Sequence, residues 1–153
     1  MKTSLETIEL FLAHTTNPDV IASIVDPKAT YISLNFNNPE LKKILPWTGT
    51  HHQGAKGFID TFAGVNELWS ILGFEVQDLF SEDEKVAVFG SFTYVLKTLD
   101  KQVTSPFSLL AKVKDEKVYH FMFMEDTFAT SGTYILTPAG TFHNDPNETE
   151  FSL

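Results

Sequence analysis

From Ile71 to Thr130 the chain alternates apolar and polar residues with a period of two. Four long runs, 71–80, 85–98, 102–114 and 117–130, are separated only by Ser81-Glu82-Asp83-Glu84, Leu99-Asp100-Lys101 and Asp115-Glu116. Alternation of this kind sends successive side chains to opposite faces of a strand, and such short polar breaks between strands admit hairpins. The second half of the chain therefore reads as an antiparallel meander. Strands this long coil, and a coiled sheet has a concave face that something must fill.

The first half supplies the filling. Thr3 with Glu6 forms a capping box, and Leu5, Ile8, Phe11 and Leu12 follow at helical spacing. Asn17-Pro18 caps and starts a second short helix whose inner face is Val20, Ile21, Ile24 and Val25, ended by Asp26-Pro27. A strand over 29–36 comes next, then a possible helical turn over 40–45, a short extended segment over 48–53 and a third helix over 54–70. Helices gathered at one end of the sequence and strands at the other predict an α+β domain, with three N-terminal helices packed on one face of a strongly curved, mostly antiparallel sheet.

Composition bounds what such a domain does. With 153 residues the chain fits one unit, over 1–130, and a tail over 131–153 that covers a sheet edge or is partly disordered. Net charge is −9, and every positive side chain is Lys, with no Arg. That balance excludes nucleic acid and an anionic membrane surface as partners, and the lack of Arg removes any bidentate clamp on carboxylate or phosphate. Without Cys there is no disulfide, thiolate metal site or cysteine nucleophile. No apolar stretch is long enough for a membrane span and the N-terminus lacks a signal-peptide core, so the expectation is cytoplasmic. No Gly-rich phosphate loop or metal-ligand spacing occurs, so neither cofactor nor metal is expected.

The element order resembles a known superfamily. Three stretches carry the likeness: Ala29-Thr30-Tyr31 after a helix ending at Asp26-Pro27, Pro46-Trp47-Thr48-Gly49-Thr50 leading into Gly54, and Phe123-Met124-Glu125-Asp126-Thr127 at the close. These look like the nuclear-transport-factor-2-like (cystatin-like) cone, and within it the SnoaL-like, polyketide cyclase-like group, over about residues 3 to 130. The resemblance implies a cone-shaped pocket and often a homodimer formed through the outer sheet face. Ketosteroid isomerases of this fold place an aspartate on the first strand, where this chain has Thr30 to Leu34, and limonene epoxide hydrolases need an Arg that is absent here. The cyclase group implies an acid/base aspartate on the last strand, which falls on Asp126; its histidine partner is replaced by Lys112 and Lys114.

Around that resemblance the residues supply candidates. His120, Met122, Met124 and Asp126 share one face of the last run, and Phe121, Phe123 and Glu125 share the other. If the first of these faces is concave, Asp126 is desolvated and suited to exchange a proton beside a carbonyl. Of His51 and His52 only one can point inward, and His52 is the candidate acid/base partner, with Tyr31 assisting. Trp47, Phe58, Phe62, Trp69, Phe92, Tyr94 and Phe107 are candidate walls, with Met122 and Met124 as adaptable surface; each is equally an ordinary core residue. The expected ligand is a small apolar metabolite carrying a carbonyl or a ring, and the alternative is a non-catalytic binding or dimerisation module.

Overall fold

A computed structural model of the chain describes residues 1–137, 140–143 and 150–152. The helices form where their end signals sit. In α1 (Ser4–Ala13) the Thr3 hydroxyl accepts from the Glu6 N–H while the Glu6 carboxylate accepts from the Thr3 N–H. Asn17 caps α2 (Pro18–Ile24), which runs directly into β1 (Val25–Ser33). Asn38 caps α3 (Pro39–Ile44), a full short helix where a single turn was expected. After β2 (Gly49–His51), α4 (Ala55–Leu68) starts at Gly54 with φ of 57°. A Cβ at Gly54 would lie 2.5 Å from the Pro27 carbonyl oxygen, so only glycine fits that corner.

The meander follows as β3 (Trp69–Glu82), β4 (Lys85–Leu96), β5 (Lys101–Lys114) and β6 (Lys117–Glu125). Asp115 and Glu116 both adopt positive φ in the last hairpin, the twist that two-residue turns require. The six-stranded sheet has the order β2-β1-β6-β5-β4-β3, and β1 runs parallel to β6. The α+β cone is therefore the architecture observed, with four helices before the meander in place of three.

Beyond β6 the structure departs from the expected strand to 130. Pairing stops at Glu125, and α5 (Thr127–Gly132) begins with Asp126 as its N-cap. Two three-residue strands, β7 (Thr141–His143) and β8 (Glu150–Ser152), pair with each other. The tail's Pro138, Asn144, Pro146 and Asn147 lie outside the described residues.

The core lies between α1, α2, α4 and the concave sheet face, around Ile8, Phe11, Ile21, Phe58, Val88 and Phe121. Gly90 on β4 permits the tightest contact in this layer. A Cβ there would meet the Glu75 carbonyl at 2.0 Å and the Phe107 ring at 2.7 Å. Phe107 fills that space and stacks on Phe74 of β3 and Phe123 of β6, with ring centroids 4.7 and 5.3 Å away. No helix among the described residues is long and apolar enough to cross a membrane.

Candidate functional site

The open end of the cone holds a cavity of about 220 Å³. Its helical wall is Phe11 and Leu12 of α1 and Thr61, Phe62, Val65 and Asn66 of α4; its sheet wall includes Tyr31 and Ser33, Trp69, Phe74, Phe92 and Tyr94, Leu109, Phe121 and Phe123. Trp47 and Leu45 close it from the loop before β2, and Thr130 from α5. Ile71 and Phe74, 46% and 41% exposed, put apolar surface where the cavity meets solvent along β3. Leu34 joins the lining by an unusual route. Its φ of 66° turns the chain out of β1 while its N–H still donates to the Phe123 carbonyl, and its side chain stays buried against the cavity.

Among the described residues one ionisable carboxyl lines this space, and it belongs to Glu125. β6 pairs Phe123 with Leu109 and Glu125 with Phe107, so Phe121, Phe123 and Glu125 are the concave residues of the strand. Desolvation among the rings pushes the Glu125 carboxyl up to about 8, and the neighbouring Asp126 charge adds to the shift. Glu125 is consequently a neutral acid near pH 7. Burial also raises the Tyr31 and Tyr94 hydroxyls far above the usual tyrosine range; the Ser33 hydroxyl opposes this at Tyr31, and the charge of Glu125 adds to it at both. The same charge acts on Tyr134, which packs edge-on against Trp69 at 5.6 Å. Tyr31 is fixed by a parallel stack on Phe58 at 4.5 Å and an edge contact with Phe121 at 5.4 Å.

Three other polar side chains of the wall have a donor engaged by backbone. The Thr61 hydroxyl donates to Gly57 O, the Thr130 hydroxyl to Asp126 O, and the Asn66 amide to Phe62 O at 2.7 Å. Glu125, Tyr31 and Tyr94 hold protons to give. Among the described residues no Lys lines the cavity. Among the described residues no three His, Asp or Glu side chains converge as a metal-ligand set.

Several expected site residues sit elsewhere. Asp126 is exposed, and its carboxylate accepts from the Ala129 N–H as the α5 cap, so it is off the concave face. The Thr-Phe-Ala-Thr-Ser-Gly that follows it turns helical where an alternating strand was read. His52 is exposed, its Nδ1 3.3 Å from the Thr30 hydroxyl, while His51 lies behind Tyr31 with Nε2 bonded to the Trp47 carbonyl at 2.7 Å. Neither lines the cavity. Met122 and Met124 occupy the convex face of β6, paired with Leu110 and Ser108. Phe58 and Phe107 are core residues one layer behind the lining. Tyr31, Trp47, Phe62, Trp69, Phe92 and Tyr94 do come together at the cavity. Glu125 faces inward where Asp126 was expected, and the sequence carries a signal for it: the Phe-x-Phe-x-Glu face is more apolar than His-x-Met-x-Met, which marks it as the inner one.

No family model matches the chain. Patulin biosynthesis cluster protein F of Penicillium expansum is 40% identical over 125 residues, covering 78% of this chain and 63% of that protein. Patulin synthesis protein F of Aspergillus clavatus is 37% identical over 140 residues, covering 82% of this chain and 71% of that one. The chain thus spans about two-thirds of the length of these relatives. Among solved structures, a nuclear-transport-factor-2-like protein of Burkholderia thailandensis superposes with a TM-score of 0.74 at 16% identity, covering 88% of this chain and 99% of that one. TerC, co-crystallised with polyporic acid, gives 0.69 at 19% identity, covering 85% and 96%. These likenesses confirm the fold, and the sequence identity to the two fungal proteins places this chain in the family of the patulin synthesis F proteins, built on a nuclear-transport-factor-2-like cone.

Proposed function

We propose that the chain is a cofactor-independent acid/base enzyme of small-molecule biosynthesis, SnoaL-like in architecture, whose proton-transferring residue is Glu125. The observation that carries this reading is a carboxyl kept protonated near neutral pH inside an aromatic cavity, beside two tyrosine hydroxyls that are also held neutral. A group whose pKa lies near the working pH is suited both to give a proton and to take one back.

The substrate follows from the walls. A cavity of about 220 Å³ lies below the roughly 300–1,000 Å³ of drug-sized pockets, so it takes a metabolite of about one ring. With no cation facing inward among the described residues and an acid at its end, the site disfavours carboxylate and phosphate ligands and favours a neutral, mostly apolar molecule with a carbonyl or ring oxygen. Glu125 donates its proton toward that oxygen, while Tyr31 or Tyr94 stabilises the charge that develops there. The Glu125 carboxylate so formed then recovers a proton from a carbon of the substrate, which gives a net isomerisation or ring rearrangement without an oxidant.

Membership in the patulin F family supports a biosynthetic role and supplies a test. The chain is expressed in a Penicillium expansum strain lacking its own protein F, and patulin is measured in the culture. We expect the wild-type chain to restore patulin and Glu125→Gln to leave it absent. Restoration by Glu125→Gln at the wild-type level defeats the acid/base assignment. As a separate proposal, the convex face, where Phe80 and Phe89 stack in the open at 6.1 Å, pairs two copies as a homodimer; sedimentation of Phe89→Glu as a dimer equal to wild type would refute it.

A further inference from the structure

Glu125 ends its strand, and a strand end is ordinarily a loose place to mount a catalytic group. The β5–β6 ladder closes with the Phe107–Glu125 pair. One step further the backbone N–H of Asp126 donates to the Ser105 hydroxyl at 2.9 Å, and that hydroxyl in turn donates to the Pro106 carbonyl at 2.8 Å. Ser105 is fully buried on β5, where an unpartnered hydroxyl would be costly. It therefore extends the ladder beyond its last regular rung with a side-chain acceptor for the Asp126 N–H.

Asp126 is held on its other side as well. Its carboxylate accepts from the Ala129 N–H at 3.0 Å, and its carbonyl accepts from the Thr130 N–H at 3.0 Å and from the Thr130 hydroxyl at 3.2 Å. Thr130 itself lines the cavity. The residue after Glu125 is thus joined to β5 through Ser105 and to the cavity wall through α5, which fixes the backbone from which Glu125 projects.

Granting the acid/base reading of Glu125, we propose that Ser105 and Asp126 form a clamp of positioning residues that keeps the Glu125 carboxyl inside the cavity. Neither touches the ligand space. Their contribution is to hold the acid where it is dry, among Tyr31 of β1, Tyr94 of β4 and Tyr134 beyond α5, with the Asp126 carboxylate beside it.

The test is the protonation of Glu125 in the full chain, read as the infrared carbonyl band of a neutral carboxyl that Glu125→Gln removes, followed across pH with thermal melting of each variant. Ser105→Ala keeps every charge and loses the clamp, so its titration midpoint falls by about one pH unit, a tenfold change in the ratio of neutral to ionised acid. Asp126→Asn and Asp126→Ala both delete the neighbouring charge, but only alanine deletes the cap, because Asn caps as well as Asp. Asp126→Ala therefore lowers the midpoint further than Asp126→Asn. A wild-type midpoint in folded Ser105→Ala, or equal shifts in the two Asp126 variants, overturns the clamp while leaving the acid in place. If Ser105→Ala does not fold, the Asp126 pair decides. Absence of any Glu125 band in the wild-type chain at neutral pH removes the acid itself, and the clamp with it.

Discussion

The two faces of β6 share one backbone and carry opposite chemistry. On the concave side Phe121, Phe123 and Glu125 meet Tyr31, Leu109 and Phe107, and the acid at the end of that row loses its water. On the convex side His120, Met122 and Met124 lie beside Lys112, Leu110 and Ser108, with Met124 39% exposed. His120 is held below its usual range by partial burial and by the Lys112 charge. A displacement of one residue thus separates a desolvated carboxyl from side chains on the opposite face of the sheet. What differs between the faces is solvent, and residue type alone does not decide it.

Four measurements probe that contrast. The largest effect is on turnover: Glu125→Gln lowers kcat/KM by about 10²–10⁴, the usual contribution of a general acid, whereas Met124→Gln beside it leaves turnover intact. Kinetics on a turned-over substrate of the proposed class will decide, and equal losses in both variants would erase the distinction between the faces. Stability follows. Phe121→Ala, 2% exposed beneath α1 and α4, costs about 3–5 kcal/mol in urea unfolding. Phe89→Ala, 43% exposed on the convex side, stays within about 0.5 kcal/mol in the monomer.

The third effect is a pH dependence with a fixed sign. Unfolding returns Glu125 from about 8 to its ordinary value near 4.5, so between those values the folded state binds the extra proton. Raising pH through that window therefore destabilises the fold, by at most about 1.4 kcal/mol per unit, and no further loss from this group occurs above about 8. Chemical denaturation at several pH values should show a slope that Glu125→Gln flattens; an unaltered slope in that variant would detach the acid from the cavity. The smallest effect concerns the open side. Phe74→Leu shortens the ring stack at the mouth and costs about 1 kcal/mol, with KM for the substrate rising more than kcat falls.

Much of this fold is legible in the sequence because its signals are local. Thr3 with Glu6, Asn17-Pro18 and Asn38-Pro39 each start a helix where their chemistry says, and the polar pairs at Asp83-Glu84 and Asp115-Glu116 turn the strands. The parallel β1–β6 pairing is not local and has no such mark. At the site the alternation of β6 divides its residues correctly between two faces, but a period of two carries no label for which is inside. Asp126 looked like a continuing strand residue because Thr and Phe follow it, and both are strand formers. Its capping bond to Ala129 depends on the chain leaving the sheet there, which the preceding ladder and Ser105 impose from far away in sequence.

Leu34 carries a different implication. A leucine at positive φ is strained by about 1–3 kcal/mol, and glycine would relax that bend. The chain instead retains a bulky aliphatic side chain that closes the cavity wall behind Ser33. Local conformational comfort has been given up for a shaped enclosure, so the route to a more heat-resistant variant at this corner is also the route to a leakier and less selective one.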